Sequence, residues 1–134
     1  MPKFSNSSKR KLATCDYRLQ DIFNEVVKTW DCTIVCGYRG EYEQNQSYQT
    51  GKSMLKFPKS KHNSNPSIAV DVTPYYKGVG IDWSDIIGFA YFAGYVKRVA
   101  DEMGINLRWG GDWDGDKRNK DQSFNDLPHF EIKE

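Results

Sequence analysis

Ile68-Ala69-Val70-Asp71-Val72 is a β-type run interrupted by one carboxylate, and Pro74 brings it to an end. Nine residues before Asp71 stands His62, in Ser60-Lys61-His62. Far downstream, His129 closes Asp126-Leu127-Pro128-His129 and opens a last strand, His129 to Ile132. These are the only two histidines of the chain. His62 thus precedes a strand, Asp71 lies in it, and His129 starts another. Residues on the strand ends and loops of one sheet can converge although the sequence separates them.

Around that pair of strands the pattern alternates between helix and strand. Leu19, Ile22, Phe23, Val26, Val27 and Trp30 fall on one helical face over about Asp16 to Trp30, with Thr14 or Asp16 as cap. Thr33 to Cys36 reads as a short buried strand, and Glu41 to Thr50 as a polar helix stopped at Gly51. Residues 52–65 read as an irregular loop, with Pro58 and Pro66 as breakers. The longest helix is expected over Ser84 to Met103, with Ser84 as N-cap and Gly104 as stop. Its apolar stripe runs through Ile86, Ile87, Phe89, Ala90, Ala93, Val96, Val99, Ala100 and Met103. Ile105 to Trp109 is a further strand, and Gly110 to Asn125 a long polar loop. Helices packed on one small, mainly antiparallel sheet make the expected class α+β.

At 134 residues the chain is expected to be one domain over 1–134, with 1–11 a loosely ordered polar segment. A monomer is expected. Mean hydropathy of −0.75 describes a globular protein with a modest core. A net charge of +1 offers no broad basic field, so nucleic acid is not an expected partner. The odd trio Cys15, Cys32 and Cys36 reads as reduced packing thiols. The N-terminal segment has no apolar run, and no stretch approaches the ~20 apolar residues of a membrane span.

His62, Asp71 and His129 are the ligand types of a catalytic zinc site, which uses three protein donors and keeps one position open. Asp126, three residues before His129, could act as general base, with burial tuning it upward. Arg39, after a strand and a glycine turn, could hold a substrate carboxylate or a developing oxyanion; a surface ion pair is its plainer reading. Trp109, Trp113 and Tyr75-Tyr76 could line a groove or fill the core. Ser60 is a substrate-side candidate that could instead bond within its own loop. Asp112, Asp114 and Asp116 alternate like the start of a calcium loop, but Lys117 and Ser123 stand where Gly and Glu belong. A solvated acidic loop is favoured over Ca²⁺.

Ser60-Lys61-His62, Ala69-Val70-Asp71-Val72, Leu107-Arg108-Trp109-Gly110-Gly111-Asp112-Trp113 and Asp126-Leu127-Pro128-His129-Phe130-Glu131 together resemble one family. It is the zinc D-alanyl-D-alanine carboxypeptidase family, which includes VanX- and VanY-like enzymes and the L-alanyl-D-glutamate endopeptidases of phage lysins. The resemblance runs from about Leu12 to Ile132. It implies a Hedgehog/D-Ala-D-Ala peptidase-like fold, one Zn²⁺ on His62, Asp71 and His129, Asp126 as base and Arg39 on the substrate side. The His62–Asp71 interval is longer than the commoner family spacing, in a Pro-containing loop where insertion costs little. Asp126 stands where many carboxypeptidase members carry Glu, which tilts the resemblance toward endolysins. The implied activity is hydrolysis of the peptidoglycan stem peptide between L-alanine and D-glutamate. It implies residence in a host cytoplasm, then access to the wall after a holin-type membrane lesion. A D-Ala-D-Ala carboxypeptidase or dipeptidase is the rival enzyme, and a non-catalytic wall-binding module the rival of another class.

Overall fold

The computed structural model describes residues 2–134. Four strands form one sheet: β1 Cys32–Cys36, β2 Ala69–Pro74, β3 Leu107–Trp109 and β4 His129–Ile132. Their order is β1-β2-β4-β3, and each neighbouring pair is antiparallel. Alternation then sorts the side chains. Val70, Val72, Phe130 and Ile132 are buried in the core cluster, whereas Asp71, His129 and Glu131 belong to the other face.

Among the described residues four α-helices accompany the sheet: α1 Asn6–Leu12, α2 Tyr17–Val26, α3 Glu41–Gln49 and α4 Ile86–Glu102. Leu19, Ile22, Phe23 and Val26 of α2 are fully buried, as their spacing requires. Asp16 caps α2, its carboxylate accepting from the Arg18 N–H at 2.9 Å. The expected extension to Trp30 is turn instead. Trp30 still reaches the core, packing edge-on against Tyr91 and Phe92 at 4.8 and 5.5 Å.

Three expectations need correction. The N-terminal segment is not loosely ordered, because α1 forms with Phe4, Ser8 and Leu12 buried on one side. Ser8 Oγ accepts from the Ile34 N–H at 3.0 Å, so a polar residue ties this helix to β1. Asp85, not Ser84, caps α4 by accepting from the Gly88 N–H at 2.9 Å. Ser84 instead donates to Asp82 Oδ1 at 2.7 Å. The α4 stripe is also narrower than expected: Phe89, Phe92, Ala93, Val96, Val99 and Ala100 are buried, while Ile86 and Ile87 of the first turn stay exposed. Gly104, at φ +71°, ends the helix in the left-handed region.

Candidate metal centre

Asp71 and His129 face each other directly across the β2–β4 ladder. Opposed positions on adjacent antiparallel strands hold their Cβ atoms about 5 Å apart on one face, so register alone brings these side chains together. Cys36 pairs with Asp71 from the other side, just past a β1 register shift between Ile34 and Cys36. His62 arrives from a 3-10 turn over Lys61–Asn63. Ser60 caps that turn by accepting from the His62 N–H at 3.2 Å, and Asn63 returns the bond to the Ser60 N–H.

The donor atoms converge. His62 Nε2 lies 3.2 Å and His129 Nδ1 3.4 Å from the same oxygen, Asp71 Oδ1. Asp126 Oδ2 is 3.8 Å from His129 Nδ1. Both imidazoles are buried, and their far nitrogens are fixed by groups that can only accept. His62 Nδ1–H donates to the Gly37 carbonyl at 2.8 Å, and His129 Nε2–H to the Glu131 carboxylate at 2.8 Å. In its neutral form each ring therefore turns a bare lone pair toward the Asp71 carboxylate. His129 Nδ1 is buried with no hydrogen-bond partner among the described residues. Acceptors facing one another in this way call for a cation or a proton between them.

The distances suit a small cation. Donors ~2.0–2.1 Å from a tetrahedral centre stand about 3.3–3.4 Å from one another. The donor sets Cys36, His62, Asp71 and Asp71, Asp126, His129 each lie within 4.8 Å. They share Asp71 and so form one cluster. Glu131 behind His129 supplies the carboxylate that commonly orients a metal-binding imidazole.

Electrostatics agree with that geometry. Burial opposes ionisation of Asp71, but the two neighbouring histidines outweigh it and hold the carboxyl below the usual range. Burial disfavours the His62 imidazolium, yet the Asp71 charge pushes its pKa up to about 10 in the absence of a metal. For Asp126, burial and then the Asp71 charge act together and raise its pKa.

The remaining expected site residues divide. Arg39 lines the cleft; its guanidinium donates to Asp71 Oδ2 at 3.3 Å and to Gln44 Oε1 at 3.1 Å. Trp113 lines it too, stacked on Phe124 and tilted over the His129 ring at 5.4 Å. Ser60 borders the cleft while holding the His62 turn. Trp109 lies outside the lining, packed against the core with its indole N–H donating to the Leu127 carbonyl at 2.7 Å. Asp112, Asp114 and Asp116 form a separate acidic group. Their carboxylates accept from the Lys117, Asp116 and Arg118 amides, and Asp112 Oδ1 is buried without a partner.

Sequence reasoning missed three residues of the site. Glu131, two positions from His129 on a strand, could have been found from period-two alternation. Cys36, by sequence a packing thiol, has its Sγ 4.0 Å from His62 Nδ1. Gln44, fully buried, accepts from Arg39 and Asn63 and donates to Ser53 Oγ and the Leu55 carbonyl. All four of its hydrogen-bonding positions are filled, and nothing local in a polar helix marks it.

The phage L-alanyl-D-glutamate peptidase family matches residues 1–133. The chain belongs to this family. It is 37% identical over 114 residues to the L-alanyl-D-glutamate peptidase of Escherichia phage T5, covering 83% of this chain and 81% of that one. Its fold is similar to the crystal structure of the Serratia marcescens L-Ala D-Glu endopeptidase ChiX. The TM-score is 0.76 at 25% identity, covering 98% of this chain and 90% of that one.

Proposed function

We propose that this phage L-alanyl-D-glutamate peptidase family member is a single-domain zinc endopeptidase that hydrolyses the bond between L-alanine and D-glutamate in the peptidoglycan stem. The observation that carries the reading is the convergence of two lone pairs on one Asp71 oxygen, with His129 Nδ1 buried and unpartnered. His62, Asp71 and His129 would hold the zinc. Bound zinc supplies a Lewis acid for the scissile carbonyl and lowers the pKa of water toward ~7.

The chain's own groups account for the rest. Asp126 takes the proton of the attacking water and returns it to the leaving amine of D-glutamate, so the proton balance closes. Burial, the larger cause of its raised pKa, makes it a better proton acceptor than an exposed aspartate. Gly37 and Glu131 fix the tautomers of His62 and His129, keeping the inward nitrogens free of protons. Arg39, steadied by Gln44, is placed to polarise a substrate oxygen at the cleft. Trp113 offers an apolar face beside His129 for the peptide backbone.

Among the described residues no helix is long and apolar enough to cross a membrane. Access to the wall would come through a holin-type lesion. Incubating the purified protein with defined muropeptides, with and without EDTA, tests the reading by mass spectrometry. Scission after L-alanine that stops on chelation and returns with zinc is expected. Release of free D-alanine alone would make it a carboxypeptidase, and wall binding without scission a non-catalytic module.

A further inference from the structure

We infer that the lysine-bearing loop over residues 52–61 is the subsite for the free carboxylate of the substrate's leaving half, favouring stems whose D-glutamate carries an acid there rather than an amide. This deepens the peptidase reading and rests on it.

The 27 residues from Gln44 to Val70 contain four lysines and no Asp or Glu. An even spread of the 18 acidic residues would have placed about three or four there, so the segment is polarised within a nearly neutral chain. Three of the lysines, Lys52, Lys59 and Lys61, line the cleft of about 940 Å³ that contains His62, Asp71 and His129. All three are exposed, and among the described residues none has a carboxylate within ion-pair distance. The fourth, Lys56, lies outside the lining with its ammonium 5.0 Å from the Tyr48 ring centre.

The loop is also held in place. Gln44 donates to Ser53 Oγ at 3.0 Å and to the Leu55 carbonyl at 2.6 Å. The Phe57 N–H donates to Asn45 Oδ1 at 3.2 Å, and the Ser60 capping box joins the loop to His62. Charges on an anchored loop cost less ordering on binding than charges on a mobile one.

Substrate chemistry supplies the matching anion on one side of the scissile bond only. Glutamate carries two carboxyl groups, and one of them continues the chain. The other remains beside the bond being cut, as an acid or capped as an amide. The alanine half presents no side-chain charge. Trp113, Phe124, Asn125 and Asp126, which also line the cleft, offer a carboxylate no cation. The two arginines of the lining, Arg39 and Arg108, are already paired with Asp71 and Glu131 at 3.3 and 3.6 Å. Laid with its glutamate half over the lysines, the peptide would present its leaving amine to the metal-ligand cluster that lines the same cleft.

Two muropeptides that differ only in acid or primary amide at that glutamate group test the inference on the zinc-loaded full chain. The parent is expected to cut the acid form with a kcat/KM about 10-fold higher, since each exposed charge pair is worth up to about fivefold. Raising the salt should shrink that preference. Lys52→Gln, Lys59→Gln and Lys61→Gln combined should lower kcat/KM on the acid form about 3- to 10-fold, chiefly through KM, and leave the amide form unchanged. Lys56→Gln removes the same charge from the same loop and should keep the preference. Equal cleavage of both forms by the parent, or equal loss on both in the triple variant, would overturn the subsite. Cleavage of neither form would overturn the peptidase reading and this inference with it.

Discussion

At the scale of single residues, Asp126 and Glu131 flank the same imidazole and do opposite things. Asp126 stands 3.8 Å from the inward nitrogen of His129, on a loop whose amide donates to the Gly110 carbonyl at 2.9 Å. A side chain at Gly110 would run into the Asp126 backbone, so glycine is required there for the close approach. Asp126→Asn keeps the shape and removes the proton acceptor. Turnover should fall by about 10²–10⁴ while zinc per chain stays at the parent value. Zinc lost along with activity would make Asp126 a ligand instead of the base. Glu131 bonds the outer nitrogen of His129 at 2.8 Å and pairs with Arg108 at 3.6 Å. Glu131→Gln retains an acceptor but removes its charge, lowering the basicity of the ring. Zinc affinity, read by competition with a chromogenic chelator, should weaken about 10- to 100-fold. Unchanged affinity would leave Glu131 only its pairing with Arg108.

At the scale of elements, β4 joins the site to the core through alternation. His129 and Glu131 serve the cleft, and between them Phe130 is fully buried, edge-on to Phe23 of α2 at 5.4 Å and to Phe92 of α4 at 6.3 Å. Phe130→Ala should cost about 3–5 kcal/mol in urea unfolding, because the cavity would open between both helices and the strand. A loss below about 1 kcal/mol would mean that the helices close over the gap. The same alternation explains what could be read beforehand. Helices α2 and α4 carry apolar residues at helical spacing, and in β2 and β4 apolar residues alternate with polar ones, so type and order were legible. His62, Asp71 and His129 were legible because histidine is so scarce here. Helix α1 was not, since Ser8 splits its buried face and finds its partner, Ile34, far along the chain. The α4 cap was missed because Ser84 and Asp85 are both good capping residues, and only backbone geometry selects between them. Gln44 and Cys36 depend on partners such as Ser53, Asn63, His62 and Asp71, which no local pattern carries.

At the scale of the whole molecule, the site ties the 61–63 turn, β2, β4 and the Asp126 loop around one cluster, so its occupancy should govern stability. With no metal bound, a proton shared by His62 and Asp71 would take the place of the proposed cation. His62 has a folded pKa of about 10 against an ordinary value of 6.5. A raised histidine pKa stabilises fully below the unfolded value, and that stabilisation is lost as pH climbs from about 6.5 toward 10. Asp71, held below its ordinary range, works in the other direction: its contribution is present above about 4 and lost as pH falls further. The His62 contribution is lost above about pH 6.5, so the melting temperature in EDTA should decline from there toward pH 8.5. Bound zinc would require both imidazoles in their neutral form and compete with that same proton, so its apparent affinity rises with pH. The gap between melting curves in buffered zinc and in EDTA should therefore widen from pH 6 to pH 8.5, as scanning fluorimetry can measure. A gap that stayed constant, or narrowed, would place the bound cation somewhere other than between His62, Asp71 and His129.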